Sequence, residues 1–261
     1  MLLKDRIVII TGVGPGMGRK MALIAAAEGA KVAVSARSEG FIKEVVAEIE
    51  GQGGKAIAVP TDVSDTAQCQ RLVDATVEAF GTVTGLVNSA YRHGPMGGNI
   101  EGSDVEEWVA NVNVTCFGAL RMAKSVLPVM RKGGGGAIVN VGTMAAVKPM
   151  AGEEDYATAK AALNGLTRQL AREFGQYNIR VNSTRMGWLW GAPVKGYLAW
   201  AAQTNGVSEA SLIEPIAKNI PLGVIPPDEE CAKSVLFFVS DYSKMVTGAT
   251  LDVNGGEYMA P

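Results

Sequence analysis

The sequence predicts an α/β protein with a doubly wound, mainly parallel sheet of seven strands. Three observations lead to this fold class. Short apolar runs alternate with longer helical runs along the 261 residues, a glycine-rich turn joins the first strand to the first helix, and 48% of the residues are hydrophobic. Such alternation requires crossover connections, which give parallel strands with helices on both faces. We expect a single domain over 1–261, because no linker-like change in composition and no short repeat interrupts the chain.

The predicted strands are short runs rich in Val, Ile and Ala, as expected for strands buried on both faces. In chain order they are 6–11, 31–35, 55–60, 84–88, 137–141, 179–183 and 250–253. The predicted helices have amphipathic or alanine-rich sequences. They are 17–28, 41–50, 66–80, 106–130, 155–174 and 229–240. Residues 188–220 show no clear period, so we expect an irregular segment there.

Charge and cysteine content argue against several classes of protein. The 24 Lys and Arg against 26 Asp and Glu give a formal net charge of −2, and no basic block indicates a nucleic-acid partner. No apolar run reaches the roughly 18 residues that a membrane span needs. Cys69, Cys116 and Cys231 lack metal-ligand spacing, so they predict reduced thiols in a cytoplasmic protein without a metal.

A glycine-rich turn, TGVGPGMG at 11–18, separates the first strand from the first helix. Glycine permits positive φ and lets the backbone approach a ligand closely. The helix that follows offers free N–H groups and a positive dipole end to a phosphate. In this context the turn predicts a dinucleotide site rather than a plain connection. Its spacing, Gly12, Gly16 and Gly18, differs from the commoner G-x-G-x-x-G pattern.

The end of the second strand bears on which nicotinamide dinucleotide is bound. A free ribose 2′-hydroxyl usually meets a carboxylate here, whereas a 2′-phosphate meets an arginine. Positions 35–38 hold no carboxylate and include Arg37, which favours NADP(H). Glu39 lies close enough to keep NAD(H) as the alternative. Asp62, after the third strand, is a candidate for the adenine side of the site or a simple turn residue before the third helix.

Tyr156 and Lys160 are four residues apart at the start of a predicted helix, so they share one helix face. Thr143 follows the strand 137–141. If that strand end and that helix start are neighbours, a phenol, an ammonium and a hydroxyl meet there. The alternative is an exposed helix pair without a function.

In several motifs the chain resembles the short-chain dehydrogenase/reductase family, in its compact form of about this length. The resemblance covers nearly the whole chain, and the motifs occur in the expected order on the expected elements. They are Thr11-Gly-x3-Gly-x-Gly18, Asp62-Val63, Asn88-Ser-Ala90, Val112-Asn-Val-Thr115, Tyr156-x3-Lys160, Arg180-Val-Asn182 and Thr247-Gly-x4-Val-x-Gly-Gly256. The resemblance implies a Rossmann-like fold and a hydride-transfer reaction.

The resemblance also implies roles for individual residues. Tyr156 would be the general acid/base at the reacting oxygen, and Lys160 would lower the pKa of this phenol from about 10 and hold the nicotinamide ribose. Thr143 would orient the substrate oxygen, at a position where the family most often has Ser. Asn113 would hold a water molecule in the proton relay. The implied cofactor-binding residues are Gly12, Gly14, Gly16, Met17, Gly18, Arg37, Asp62, Val63, Asn88, Ser89, Ala90, Tyr156, Lys160, Gly187 and Leu189.

The substrate pocket is the least ordinary part of the pattern. Tyr91 replaces a glycine of the family, Met186 replaces a proline, and Gly191 replaces a threonine. Three of the four tryptophans lie at 188–200, within a segment that forms a substrate lid in the family, here about 188–220. His93, the only histidine, is expected to add to the pocket walls and is interpreted as a loop residue rather than a catalytic base, because Tyr156 already fills that role. The predicted pocket residues are Tyr91, Met144, Met150, Met186, Trp188 and Trp190.

Together these features predict an NADP(H)-dependent oxidoreductase that reduces a hydrophobic or cyclic ketone, a small-molecule substrate. One alternative is an NAD-dependent dehydrogenase of a cyclic, sterol-like secondary alcohol or dihydrodiol. Another, from a different class, is a non-catalytic nucleotide-binding regulatory protein. By resemblance we expect a homo-oligomer, a tetramer or a dimer, built on the helices at 106–130 and 155–174.

Overall fold

A parallel sheet forms the centre of the molecule. The computed structural model describes residues 1–94 and 99–260. Within these ranges the strands are β1 Ile7–Thr11, β2 Lys31–Ser35, β3 Lys55–Ala58, β4 Gly85–Asn88, β5 Gly136–Thr143, β6 Ile179–Met186 and β7 Thr250–Val253. They pair in the order β3-β2-β1-β4-β5-β6-β7, and every neighbouring pair is parallel. The predicted doubly wound sheet is confirmed.

Helices cover both faces of this sheet. Their bounds are α1 Met17–Ala27, α2 Glu39–Gly51, α3 Thr66–Phe80, α4 Val105–Val112, α5 Gly118–Lys132, α6 Glu154–Phe174, α7 Ala192–Asn205, α8 Glu209–Lys218 and α9 Asp228–Val239. Short 3-10 turns follow β5, α6 and α9, at Met144–Ala146, Gly175–Tyr177 and Asp241–Ser243. A π turn, Asn113–Phe117, joins α4 directly to α5.

The structure differs from the sequence-based elements in two places. The helix expected at 106–130 is interrupted by the π turn, which widens the helix by one residue. The expectation of an irregular segment at 188–220 is wrong, because these residues include α7 and α8. Pro193 in the first turn of α7 and left-handed Gly206 at its end are ordinary helix boundaries. The apolar residues of α7 are spread around the helix, so no period reveals it.

Alternate residues of the strands enter two separate cores. Val8 and Ile10 of β1 pack against α1, α2 and α9 on one face. Ile9, between them, packs against α3, α5 and α6 on the other face. Burial on both faces explains why the strands read as continuous apolar runs.

The order of the strands predicts where a ligand-binding crevice lies. Because β1 pairs with both β2 and β4, the direction of winding reverses between β1 and β4. Ligands of open α/β sheets bind outside the carboxyl ends of the strands at such a reversal. Thr11, Asn88 and Thr143 stand at those ends.

Among the described residues, no helix combines the length and apolar character required to cross a bilayer. The same residues contain no group of three or more His, Cys, Asp or Glu side chains placed to hold a metal ion.

Candidate active site

The turn between β1 and α1 is shaped by glycines that no larger residue could replace. Gly12 has φ +71°, and a Cβ there would lie 2.4 Å from the backbone nitrogen of Ala90. A Cβ on Gly18 would lie 2.8 Å from the carbonyl oxygen of Gly12. These glycines let the turn pack against the end of β4 and against the first turn of α1.

The same turn leaves a cradle suited to a pyrophosphate. A Cβ on Gly14 would meet nothing within 4 Å. Helix α1 begins after Gly16 without a side-chain cap and without an acidic residue in its first turn. Its free N–H groups and positive dipole end therefore face this space uncompensated. The residues present thus fit the phosphates of a dinucleotide.

A cavity of about 690 Å³ extends from the turn to the carboxyl ends of β2 and β4. Of the predicted cofactor residues, this cavity is lined by Gly12, Gly14, Arg37, Asp62, Val63, Ser89 and Ala90. Hydrogen bonds from the Ser64 hydroxyl and backbone lower the pKa of the Asp62 carboxyl, and the charge of Arg37 adds to this. Asp62 therefore also has the turn role considered as its alternative.

Asn88 is the exception among these residues. Its side-chain amide donates to Asn140 Oδ1 at 2.9 Å, and Asn140 in turn donates to Thr167 Oγ1 at 2.9 Å. All three side chains are buried. Asn88 thus joins β4, β5 and α6 inside the protein, and it lines none of the three cavities described here.

A second cavity, of about 280 Å³, joins the glycine turn to the start of α6. Its walls include Thr143, Tyr156 and Lys160. The predicted cofactor residues that also line it are Gly12, Gly14, Gly16, Met17, Gly18, Ser89, Gly187 and Leu189. The structure therefore brings the phenol, the ammonium and the hydroxyl together beside the glycine cradle.

Lys160 lies beneath Tyr156 in this cavity. Its Nζ donates to the carbonyl oxygen of Val141 at 2.6 Å and lies 5.6 Å from the centroid of the Tyr156 ring. Burial lowers the pKa of the Lys160 ammonium to about 7. Burial also raises the pKa of the Tyr156 phenol, with smaller contributions from Tyr91 and Glu153, while Thr143 opposes this rise. The lowering of the Tyr156 pKa expected from Lys160 is not found, because burial dominates the shift.

Thr143 is held at the end of β5. Its hydroxyl donates to the carbonyl oxygen of Met186 and accepts from the backbone nitrogen of Ala145, both at 3.3 Å. Thr143 and Met186 are paired residues of neighbouring strands. Strands β5 and β6 therefore extend beyond their apolar runs. This extension places the Thr143 hydroxyl beside the Tyr156 phenol.

The structure does not bring Asn113 to this group. Arg121 donates to both the side-chain oxygen and the backbone oxygen of Asn113, at 2.7 and 3.1 Å. The residues that face α6 are Asn111, which donates to Asp155 at 3.3 Å, and Thr115, whose hydroxyl donates to Asn111 at 3.1 Å. The π turn that begins at Asn113 changes which side chains point towards α6, and sequence periodicity does not reveal it.

A third cavity, of about 180 Å³, opens beyond Tyr156 and Thr143. Of the predicted pocket residues, Tyr91, Met144, Met150 and Trp188 line it. Met186 instead belongs to the core and to the 280 Å³ cavity. Trp190 is not a wall residue, because its backbone pairs with Pro227 and its ring lies 5.1 Å from the Lys195 ammonium.

His93, which was expected among the pocket walls, and Glu153, which sequence reasoning did not single out, complete this third cavity. The His93 ring stacks on the Tyr156 ring, with centroids 5.0 Å apart and planes 24° apart. Its Nε2 lies 2.9 Å from Glu153 Oε2. A lone histidine in a loop has no spacing signal, so only the fold could reveal this contact.

Comparison with known proteins extends the match beyond the motifs. A family model described as "Enoyl-(Acyl carrier protein) reductase" matches residues 12–257. An uncharacterized oxidoreductase of Thermotoga maritima is 35% identical over 260 residues, covering 98% of each chain. The 2,5-dichloro-2,5-cyclohexadiene-1,4-diol dehydrogenase of Sphingobium indicum is 32% identical over 254 residues, covering 97% of this chain and 96% of the relative. The crystal structure of levodione reductase matches with a TM-score of 0.88 at 31% identity, covering 98% of each chain.

These matches span almost the entire chain, and they agree with the parallel sheet and the glycine turn. They show an NAD(P)-dependent oxidoreductase of the type that acts on alcohols and ketones. The chain belongs to the short-chain dehydrogenase/reductase family.

Proposed function

We propose that this protein is an NADP(H)-dependent reductase of a hydrophobic, cyclic ketone, with Tyr156 as the general acid. The observation that carries the proposal is the meeting of Thr143, Tyr156 and Lys160 in the cavity that also contains the glycine cradle. A carbonyl placed between that cradle and Tyr156 would have a hydride source on one side and a proton source on the other.

The chemistry divides between the cofactor and the chain. When bound, the nicotinamide supplies the hydride. Tyr156 donates its proton to the oxygen of the carbonyl, and the Thr143 hydroxyl fixes the position of that oxygen. Lys160, whose pKa of about 7 lets it carry charge near neutral pH, stabilises the phenolate that remains. Asn113 is not assigned to the relay, because Arg121 occupies its side-chain oxygen.

Arg37 supports NADP(H) as the cofactor. Its side chain is exposed at the wall of the 690 Å³ cavity, after the end of β2. The nearby Glu39 carboxylate is engaged by Lys43, at 2.7 Å. A planar guanidinium suits a 2′-phosphate, and a carboxylate already paired with lysine is a weaker partner for a ribose hydroxyl.

The third cavity supports a small cyclic substrate. A dry cavity of about 150 Å³ is large enough for benzene, and this one measures about 180 Å³. Met144, Met150 and Trp188 give it apolar walls. The name of one relative, a cyclohexadiene-diol dehydrogenase, agrees with a ring substrate.

Helices α7 and α8 form the lid in this proposal. Pro193 and Val194, in the first turn of α7, line the 280 Å³ cavity. Trp188 stacks on Tyr197 with ring centroids 6.4 Å apart, and this stack attaches α7 to the pocket wall. Contacts of this kind let the lid cover a bound ring with aromatic surface.

A homo-oligomer is part of the proposal. Val105, Val109 and Phe117 expose 70%, 55% and 48% of their surface on α4 and the π turn. Large apolar side chains left exposed in this way favour an interface between subunits. Light scattering coupled to gel filtration would give the subunit number, and a monomer would contradict this part.

A second candidate function is the reverse reaction with NAD, the oxidation of a cyclic diol or other secondary alcohol. The diol dehydrogenase among the relatives favours it. The interval of three residues between Tyr156 and Lys160 resembles carbonyl reductases of the family more than its enoyl reductases.

A panel of cyclic and aromatic ketones and alcohols, assayed with NADPH, NADH and their oxidised forms, tests the proposal. We expect turnover of small cyclic ketones, with NADPH preferred. Tyr156→Phe should lower kcat by about 10²–10⁴-fold while leaving NADPH binding unchanged. Tyr242→Phe, at a phenol that is 80% exposed and outside the cavities of the site, is the matched control. Full turnover by Tyr156→Phe would contradict the mechanism.

A further inference from the structure

The His93 imidazole is fixed against the proposed general acid by two contacts. Its ring lies 5.0 Å from the Tyr156 ring, nearly parallel to it, within the range of offset aromatic stacking. Its two nitrogens lie 2.9 Å from Glu153 Oε2 and 3.1 Å from the carbonyl oxygen of Gly94. The ring is therefore held in one orientation from both of its polar sides.

Both partners of the ring accept hydrogen bonds. A backbone carbonyl is an acceptor, and so is an ionised carboxylate. To satisfy both, each ring nitrogen must carry a proton, so the ring must be the imidazolium cation. The hydrogen bond to Glu153 is the main cause that raises the pKa of His93 above its ordinary value of 6.5, which agrees with this assignment.

We propose that His93 is a positioning residue for the reaction, a protonated imidazole that Glu153 holds flat on the Tyr156 ring, where it favours the phenolate form of that tyrosine. The inference rests on the proposed function, in which Tyr156 exchanges the proton. A cation over the face of an aromatic ring is attracted to the ring. The attraction increases when the ring carries negative charge.

Two cations then approach Tyr156. Lys160 lies 5.6 Å from the ring centroid, and the imidazolium of His93 stacks on the ring. Glu153 acts in the opposite sense, because its negative charge raises the pKa of Tyr156. The ionisable groups that face His93 and Tyr156 from the surrounding elements are Tyr91, Glu153, Asp155 and Lys160.

The His93–Glu153 pair is nearly neutral as a whole. Its influence on Tyr156 is therefore measured by removing one of the two charges. At a pH where His93 is protonated, loss of its charge would leave Glu153 as an unpaired anion beside Tyr156, and a smaller fraction of the phenol would ionise. The pair also has its own pH dependence. Because the folded pKa of His93 is raised, the contact contributes its full stability below pH 6.5 and is lost as pH rises through the folded value.

A direct test needs no substrate. His93 is the only histidine of the chain, so isotope-labelled histidine in an untagged protein gives one set of ring signals in an NMR titration. We expect a midpoint above 6.5 in the wild type and a lower midpoint in Glu153→Gln. A wild-type midpoint at or below 6.5 would overturn the proposal.

A second test follows kcat/KM for alcohol oxidation against pH, which rises as Tyr156 ionises. His93→Phe keeps an aromatic ring but removes the charge, and His93→Gln keeps hydrogen bonding without the charge. Below the His93 midpoint both should lower kcat/KM by about threefold, the size expected for an exposed cation–π contact, and above that midpoint, where the wild-type imidazole is also neutral, both should equal wild type. Wild-type kcat/KM in both variants below the His93 midpoint would overturn the proposal.

Arg92→Gln is the matched control for that profile. Arg92 is a cation of the same loop, but it pairs with Glu107 rather than Tyr156. Its removal should leave kcat/KM unchanged below the His93 midpoint, and an equal loss would assign the effect to the loop instead of His93. The two tests separate the two levels of inference. If Tyr156→Phe proves active, the proposed function fails, whereas the NMR titration still decides whether Glu153 holds His93 protonated.

Discussion

The Lys160 ammonium donates a 2.6 Å hydrogen bond to the carbonyl oxygen of Val141, with only 2% of the lysine exposed. A cation buried in this way has lost most of its hydration, and one carbonyl replaces only part of it. Burial accordingly lowers the pKa of Lys160 to about 7. The folded protein therefore holds this residue at a cost in stability whenever the ammonium is charged.

This cost predicts a pH-dependent stability. Between about pH 7 and 10.5 the unfolded chain binds more protons at Lys160 than the folded protein does, so the contribution of Lys160 to stability rises with pH. We expect the melting temperature of Lys160→Met, relative to wild type, to be highest below pH 7 and to fall towards pH 10.5. Calorimetry across this range measures it. Lys124→Met, at an exposed lysine of α5, is the control, and a difference independent of pH would contradict the prediction.

The hydroxyl of Thr143 predicts a second outcome. Thr143→Val keeps the shape of the side chain but cannot hydrogen-bond the substrate oxygen, so kcat should fall by about 10²–10³-fold. Thr143→Ser should restore most of the activity, because it returns the hydroxyl. Stopped-flow measurement of the hydride step would compare the three proteins. Equal rates for the valine and serine variants would argue against any role for the hydroxyl.

The glycine turn provides a matched pair of variants. Gly14→Ala adds a methyl group to the open cradle and meets no protein atom within 4 Å, so the fold should persist while dinucleotide binding weakens. Gly12→Ala places a Cβ 2.4 Å from Ala90 N at φ +71°, so it should lower the melting temperature itself. Calorimetric titration and thermal melts distinguish the two. Undiminished cofactor affinity in Gly14→Ala would place the phosphates elsewhere.

Arg37 predicts a change in cofactor selection. Arg37→Asp should weaken NADPH binding by about 10–100-fold, the range expected for a lost charge-assisted hydrogen bond. It should weaken NADH binding much less. Fluorescence titration with each cofactor measures this preference. Lys55→Gln removes a positive charge at the opposite, amino-terminal end of β3 and should leave the preference unchanged. A preference unaltered by Arg37→Asp would remove the basis for favouring NADP(H).

The sheet could be predicted from the sequence because buried parallel strands are short apolar runs between glycines and helices. The strand ends could not. Thr143 and Met186 lie beyond the apolar runs of β5 and β6, and only the pairing between these strands extends them so far. Helix α7 is not evident in the sequence for a different reason, since its apolar side chains do not concentrate on one face.

The site was partly predictable. Tyr156 and Lys160 are related by helix spacing, which any regular helix preserves. Asn113 was assigned from its motif, and the π turn that begins there changes which side chains point towards α6. His93 and Glu153 are far apart in sequence and lie in loops, where no periodic rule links them.

The π turn at Asn113–Phe117 also makes helix phase part of the site's chemistry. Each residue of an α-helix turns the chain by about 100°. Met122, Val126 and Met130 of α5 are fixed in the core, so a single-residue deletion in the π turn would rotate α4 by about that angle. Asn111 would then leave Asp155. The π turn sets the rotation of α4 relative to α5. It lets α5 pack its apolar residues in the core while α4 points Asn111 towards Asp155 at the active site.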